Sequence, residues 1–266
     1  MIEISSKSND IIKDLVKFRD QSKFRDDKSL FYVEGERIIK DSPHDLIEKI
    51  FVSKDKVNYY KDFLDKFNDN TIYVLDESAF DKVKDTVNSQ GIIGLIKYNT
   101  IKELNDEQIK CCQSCLILDN VSDPGNLGTI IRLAEATNIS LIILTNNCCN
   151  VYNTKVIRSC MSSIFRTHIY VSENINVDIS KFKSNSFKIY ATVLTGYYKK
   201  FSDIKYNDKT AIILGNEANG ISKDLIDASD ETIYIPMCGE IESLNVSIAA
   251  TAVCYEMMRQ NNYYET

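Results

Sequence analysis

Three stretches of the chain concentrate small, polar and cationic residues at spacings that chemistry can use. The first runs from Asp119 to Arg132 and reads DNVSDPGNLGTIIR. Within it, Asp123-Pro-Gly125 is a turn, because proline fixes φ and glycine accepts unusual backbone angles. Asn126 then stands where a side chain caps the following helix. Arg132, six residues on, projects from the second helical turn and not from the same face as Asn126. The second stretch, Leu214-Gly-Asn-Glu-Ala-Asn-Gly-Ile-Ser222, leaves a strand and enters a helix with Ser222 as N-cap. Gly215 and Gly220 have the outer spacing of a phosphate-binding loop, but Ile221 and Ser222 replace its lysine and hydroxyl pair, which excludes a triphosphate cradle. No GxGxxG is present, so a nicotinamide-binding unit is not supported. Two glycines around Asn216 and Glu217 suit a bare backbone lying against a flat organic ligand. The third stretch, Ile235 to Ala252, turns at Gly239 and brings Ser243 and Asn245 to the mouth of an Ala-rich helix. Taken singly, each stretch has an ordinary explanation as a capped helix, a strand-to-helix turn or a packed helix.

These stretches need elements to position them. From Cys115 onward, short apolar strands alternate with helices. Strands are expected at Leu116–Leu118, Leu141–Leu144, His168–Val171, Lys188–Val193, Ala211–Leu214 and Ile233–Ile235. Helices are expected near 127–137, 153–165 and 244–260. Such alternation predicts a parallel sheet covered on both faces. Ligands bind such sheets at the carboxyl ends of the strands, so the loops leaving Leu118, Leu214 and Ile235 are the informative ones. The first 98 residues read as a smaller mixed α/β unit. It has a helix near 9–20 and short strands at Phe31–Val33, Lys49–Val52, Thr71–Leu75 and Ile92–Ile96. The polar segment 99–112 is expected to link it to the larger domain, 113–266.

Composition narrows the class. The chain has 266 residues, 44% apolar and 26% charged, as in a globular protein with ample core. No apolar run approaches the roughly 18 residues that span a bilayer, and no secretory leader is visible, so a cytoplasmic protein is expected. The net charge of −6 argues, taken alone, against a nucleic-acid partner, but a local basic face decides phosphate binding and total charge does not. The N-terminal stretch does interleave Lys7, Lys13, Lys17, Arg19, Lys23, Arg25 and Lys28 with Asp10, Asp14, Asp20, Asp26 and Asp27. That pattern fits a solvated helix face as well as an RNA footprint. Eight cysteines include the CxxC of Cys112 and Cys115 and the pair Cys148-Cys149. The only histidines, His44 and His168, form no metal-binding pair, so no metal is expected and the cysteines read as structural.

Together the three stretches resemble the SpoU (TrmH) family of RNA ribose 2′-O-methyltransferases, within the SPOUT superfamily. The C-terminal half contains its motifs in order, as NVSDPGNLGTIIRLAEA, LGNEANGIS and IPMCGEIESLNVSIAATAVCYE. The N-terminal half, with Phe31-Tyr-Val-Glu-Gly-Glu-Arg37 and Gln90-Gly-Ile-Ile-Gly94, is similar to the family's small L30e-like domain, which binds the RNA substrate. The resemblance implies an α/β protein whose C-terminal parallel-sheet domain carries a deep trefoil knot. It implies S-adenosyl-L-methionine as cofactor, held by Gly215, Ile235 and Leu244 with Leu214, Met237 and Ser243 nearby. It implies Arg132, Asn126, Glu217, Ser243 and Asn245 as the polar residues of the active site, and a homodimer acting on RNA, most simply 23S ribosomal RNA. Guanidinium is a poor base, so Arg132 reads better as a cation for a developing alkoxide and an adjacent phosphate. The family attribution leaves open a tRNA substrate, a drug-resistance role on rRNA, or a non-catalytic RNA-binding protein in ribosome assembly.

Overall fold

The computed structural model describes residues 1–194, 198–206, 209–216 and 219–261. The chain divides into two compact units, Met1–Asn99 with Tyr152–Phe165, and Thr100–Val151 with Arg166–Thr266.

In chain order the first unit contains β1 (Ile2–Ile4), α1 (Asp10–Asp20), α2 (Ser22–Lys28), β2 (Leu30–Glu34) and α3 (Glu36–Lys40). These are followed by β3 (Ile47–Ser53), α4 (Lys61–Leu64), β4 (Ile72–Leu75), α5 (Glu77–Val83) and β5 (Ile92–Lys97). Its five strands form a mixed sheet in the order β1-β4-β3-β5-β2, with β5 antiparallel to both β2 and β3. Helix α1 begins at Asn9, whose side chain accepts from the Ile11 amide. Its buried residues Ile12, Leu15 and Phe18 recur at helical spacing and enter one core with Tyr32, Phe51 and Phe80.

The second unit contains α6 (Asp106–Cys111), β6 (Ser114–Leu118), α7 (Pro124–Ala136) and β7 (Leu141–Leu144). The chain then contributes α8 (Thr154–Cys160) to the first unit and returns. The second unit resumes with β8 (Ile169–Val171), α9 (Ile175–Ser184), β9 (Lys188–Thr192) and β10 (Lys199–Lys200). It ends with β11 (Thr210–Leu214), α10 (Lys223–Ala228), β12 (Glu231–Tyr234) and α11 (Val246–Gln260). Seven strands lie in the order β10-β12-β9-β11-β6-β7-β8, and every pairing is parallel. The central strands β6, β7 and β11 are buried along their whole length, as expected of a sheet with both faces covered. From β6 the chain moves outward to β7 and β8, then crosses to build β9, β11 and β12 on the other side. A crevice at that reversal is the usual ligand position.

Two expectations differ from this arrangement. The segment 99–112, expected as a linker, is from Thr100 onward folded into the second unit. Asn105 and Gln108 make a reciprocal capping box at the start of α6, and Leu104 and Ile109 are buried in the second core. The stretch 152–165, expected within the larger domain, packs instead in the first unit. Tyr152 stacks on Tyr98 at 3.7 Å between ring centroids and lies 4.6 Å from Phe31. Its hydroxyl bonds both the amide and the side chain of Asn99, and Ser162 donates to Asp41 at 2.6 Å. Apolar periodicity alone does not say which of two cores a helix enters. The strand Ile2–Ile4 and the helix Ile175–Ser184 were not expected at all.

Candidate active site

Three strand ends of the second sheet surround a cavity of about 330 Å³. Leu214 and Gly215 reach it from the end of β11, and Ile235, Met237, Ser243 and Leu244 from the loop after β12. All six residues expected to hold the cofactor therefore line one cavity. Thr192 and Val193 from the end of β9 complete the wall together with Leu194, Tyr198 and Ile221. Sequence reasoning missed the β9 contribution. The strand itself was legible, and the strand-end rule applied to it as well as to its neighbours would have found it.

The loop after β11 is shaped by its glycines. Asn216 and Gly220 pair across it by two backbone bonds, of 3.2 and 2.8 Å. Gly220 takes φ +67°, and a Cβ on Gly215 would lie 2.3–2.4 Å from backbone atoms of Gly220 and Ile221. Only a residue without a side chain permits that approach. Glu217, expected as an active-site residue, lies outside the described residues.

Hydrogen bonds tie the other stretches to this loop. Asp119, at the end of β6, is buried, and its carboxylate accepts from the Ser222 amide at 2.8 Å and the Asn120 side chain at 2.9 Å. Thr145 adds a longer bond of 3.4 Å. The Asn216 side chain donates to the Asn120 carbonyl at 2.9 Å. Asn245 is the N-cap of α11, accepting from the Ser247 amide, and its amide donates to Asn126 Oδ1 at 2.9 Å. The structure thus joins Asn126 and Asn245 directly. Asn126 itself is not the cap of α7. Asp123 takes that place, accepting from the Asn126 amide at 2.8 Å, with Pro124 in the first helical turn. Proline there sacrifices no hydrogen bond, which favours a start three residues earlier than expected from Asn126. Asn126 is thereby freed to face Asn245.

Arg132 is exposed on α7 and is not among the residues lining the cavity. The side chain has no hydrogen bond or ion pair with any described residue. No charged side chain lines the cavity among the described residues, so its walls offer backbone groups, hydroxyls, amides and apolar faces. That donor set fits the adenine and ribose of S-adenosylmethionine, which present flat faces and hydrogen-bonding edges and no phosphate. Among the described residues no group of three or more His, Cys, Asp or Glu side chains gathers as metal ligands do. Burial pushes the Cys160 and Cys254 thiols up to about 12 and Cys112 to about 11, so these remain neutral packing groups at neutral pH.

An all-parallel open sheet with an uncharged, glycine-walled crevice over its strand ends defines an α/β domain built to hold an organic ligand. The chain belongs to the SpoU rRNA methylase family, whose model matches residues 113–255, while the model of an MRM3-like substrate binding domain matches residues 9–94. It is 30% identical over 260 residues to the 23S rRNA (guanosine(2553)-2′-O)-methyltransferase RlmP of Bacillus subtilis, covering 97% of this chain and 99% of that one. Its structure is similar to that of the AdoMet-bound rRNA methyltransferase from Sinorhizobium meliloti, with a TM-score of 0.83, 26% identity and 97% of each chain covered. The SpoU methyltransferase AviRb from Streptomyces viridochromogenes shares the fold at a TM-score of 0.83 and 20% identity, over 96% of this chain and 98% of that one. Among the described residues no helix is long and apolar enough to cross a membrane.

Proposed function

We propose that the protein transfers a methyl group from S-adenosylmethionine to a ribose 2′-hydroxyl of 23S ribosomal RNA. One observation carries the reading beyond family membership: six residues from two loops, named by motif alone, meet around a single uncharged cavity. The cofactor supplies an electrophilic methyl group on a sulfonium. The protein's own work is to bind, align and exclude water. Gly215 and Leu214 offer backbone against the flat ligand, Ile235, Met237 and Leu244 its apolar walls, and Ser243 a hydroxyl. Asn126 and Asn245 hold the motif-one helix and α11 together at the mouth, where the ribose would enter.

Arg132 is assigned the cation that stabilises the developing alkoxide and grips a neighbouring phosphate. Its absence from the cavity wall of its own chain supports a homodimer in which it serves the partner's cavity. Helix α11 supports the same reading: Ile248 and Tyr255, seven residues apart on one face, are 57% and 46% exposed. Glu217 is proposed to orient Arg132 or the Asn126 loop. We further propose that the segments 215–220 and 235–245 are threaded as the family's trefoil knot, that the first unit is L30e-like and binds RNA, and that the protein works in the cytoplasm.

The test is a ribose-methylation map of rRNA from cells with and without the gene, with purified protein and labelled cofactor added to the unmethylated rRNA. One 2′-O-methyl site should vanish and be restored in vitro. Methyl transfer to a base, to tRNA alone or to nothing would refute the reading.

A further inference from the structure

The first unit contains a second cavity, of about 240 Å³, which methyl transfer does not use. Both N-terminal motifs converge on it. Glu34, Gly35 and Arg37 come from the first, and Gln90 from the second. The facing wall comes from α8 and the residue that ends it, through Thr154, Ile157 and Met161.

The charges around this cavity are not equivalent. The Glu34 carboxylate is already engaged by the Thr86 hydroxyl at 2.5 Å, the Asp85 amide at 2.6 Å and the Tyr32 hydroxyl at 3.0 Å. Arg158 is paired with Asp85. Arg37 has only a loose 3.9 Å contact with Asp41, and its side chain is 78% exposed. The uncommitted charge at the mouth is therefore positive. The floor is apolar, with Ile38 and Ile157 buried. Gln90 is held by its carbonyl, which accepts from the Glu36 amide at 2.7 Å, and its amide N–H groups have no partner among the described residues. Two backbone outliers border the space, Gly35 at φ +120° and Met161 at φ +54°, ψ −139°. Left-handed strain at a methionine persists only where surroundings impose it, and it concentrates at ligand sites.

We propose that this cavity receives one unpaired nucleotide of the substrate RNA. The base lies on Ile157 and Met161 with its polar edge toward the Gln90 amide, and the adjoining phosphate meets Arg37. The volume admits one planar base and no helix, and an apolar floor with a polar rim and one cation is the chemistry by which splayed RNA bases are held. The inference rests on RNA being the substrate.

The test uses the full-length protein and a 23S rRNA transcript, with binding followed across a salt series. Arg37→Ala should weaken binding about tenfold and lower the slope of log K against log salt by about 0.7, the loss of one single-strand phosphate contact. Thr154→Tyr, which fills the cavity, should weaken binding similarly without changing the slope. Both should bind the cofactor as the unaltered protein does, which reports an intact fold. Binding of the transcript within twofold of normal by Arg37→Ala would overturn the phosphate contact, and by Thr154→Tyr the base pocket. If the unaltered protein neither binds nor methylates the transcript, the proposed function fails as well. If it does both while the variants match it, this inference alone falls.

Discussion

Asp119 offers the sharpest test of how the loop after β11, the proposed cofactor wall, is held. Its buried carboxylate receives the Ser222 amide at 2.8 Å and the Asn120 side chain at 2.9 Å, while its own amide donates to Leu214 at 2.8 Å. In Asp119→Asn the shape is kept, but one acceptor oxygen becomes an NH₂ facing a donor. Leaving a buried donor unsatisfied costs about 1–3 kcal/mol, toward the upper end when a charged acceptor is lost. Either Ser222 or Asn120 must lose its bond. The first anchors the far end of the loop from Gly215, and the second sits in the segment whose carbonyl holds Asn216. A loop so loosened must be reordered when the cofactor binds. We expect unfolding in urea to show a loss of about 2 kcal/mol, and calorimetry a cofactor affinity reduced by about tenfold, since about 1.4 kcal/mol corresponds to that factor. Ser222→Ala is the control. Ser222 caps α10 without any side-chain bond, so its backbone contact survives and affinity should stay within about twofold. Normal affinity in Asp119→Asn, or an equal loss in Ser222→Ala, would refute the reasoning.

Other perturbations separate the remaining roles. Gly215→Ala places a methyl group against the Gly220 backbone, and overpacking of about 1–3 kcal/mol should reduce cofactor affinity at least several-fold in calorimetry; unchanged affinity would show that the loop is not the binding wall. Arg132→Ala should lower kcat by about 10²–10³-fold, as for loss of one oxyanion donor, with cofactor affinity unaltered, and Arg132→Lys retaining near-full turnover would refute a planar role. At cofactor too dilute to load the Gly215→Ala cavity, mixing Arg132→Ala with Gly215→Ala protomers should restore part of the activity, because one cavity then receives both an intact loop and an arginine; no restoration after verified subunit exchange would place Arg132 in its own chain's site. Ile248→Asp should shift the mass measured by light scattering from dimer to monomer, and an unaltered protein that is already a monomer would end the dimer reading.

Much of the second sheet was legible because its strands are continuous apolar runs ended by Asn, Gly and Pro, and such runs mean burial on both faces. The site was legible where backbone shape decides it. Gly215 reports a close approach that no other residue type allows, and Gly220 a left-handed turn. It was less legible where partners decide it. Asn126 looks like a cap in isolation, and only the neighbouring Asp123 and Pro124 show that the helix starts earlier. Asp119 looks like one more loop acid until β11 is placed beside β6. Arg132 is plain in the motif, but the motif does not say that it stays exposed and off the cavity wall of its own chain.

The placement of α8 bears on how the molecule can be dissected. Its residues lie between β7 and β8 in the chain, yet Tyr152 fills the space beside Phe31 and Tyr98. A fragment ending at Asn99 would therefore leave these rings open to water and remove one wall of the nucleotide cavity. The remaining polypeptide would carry an orphaned helix in mid-chain. Cutting at the apparent seam yields two damaged pieces, and an isolated first unit must be made by grafting the helix onto the shorter fragment.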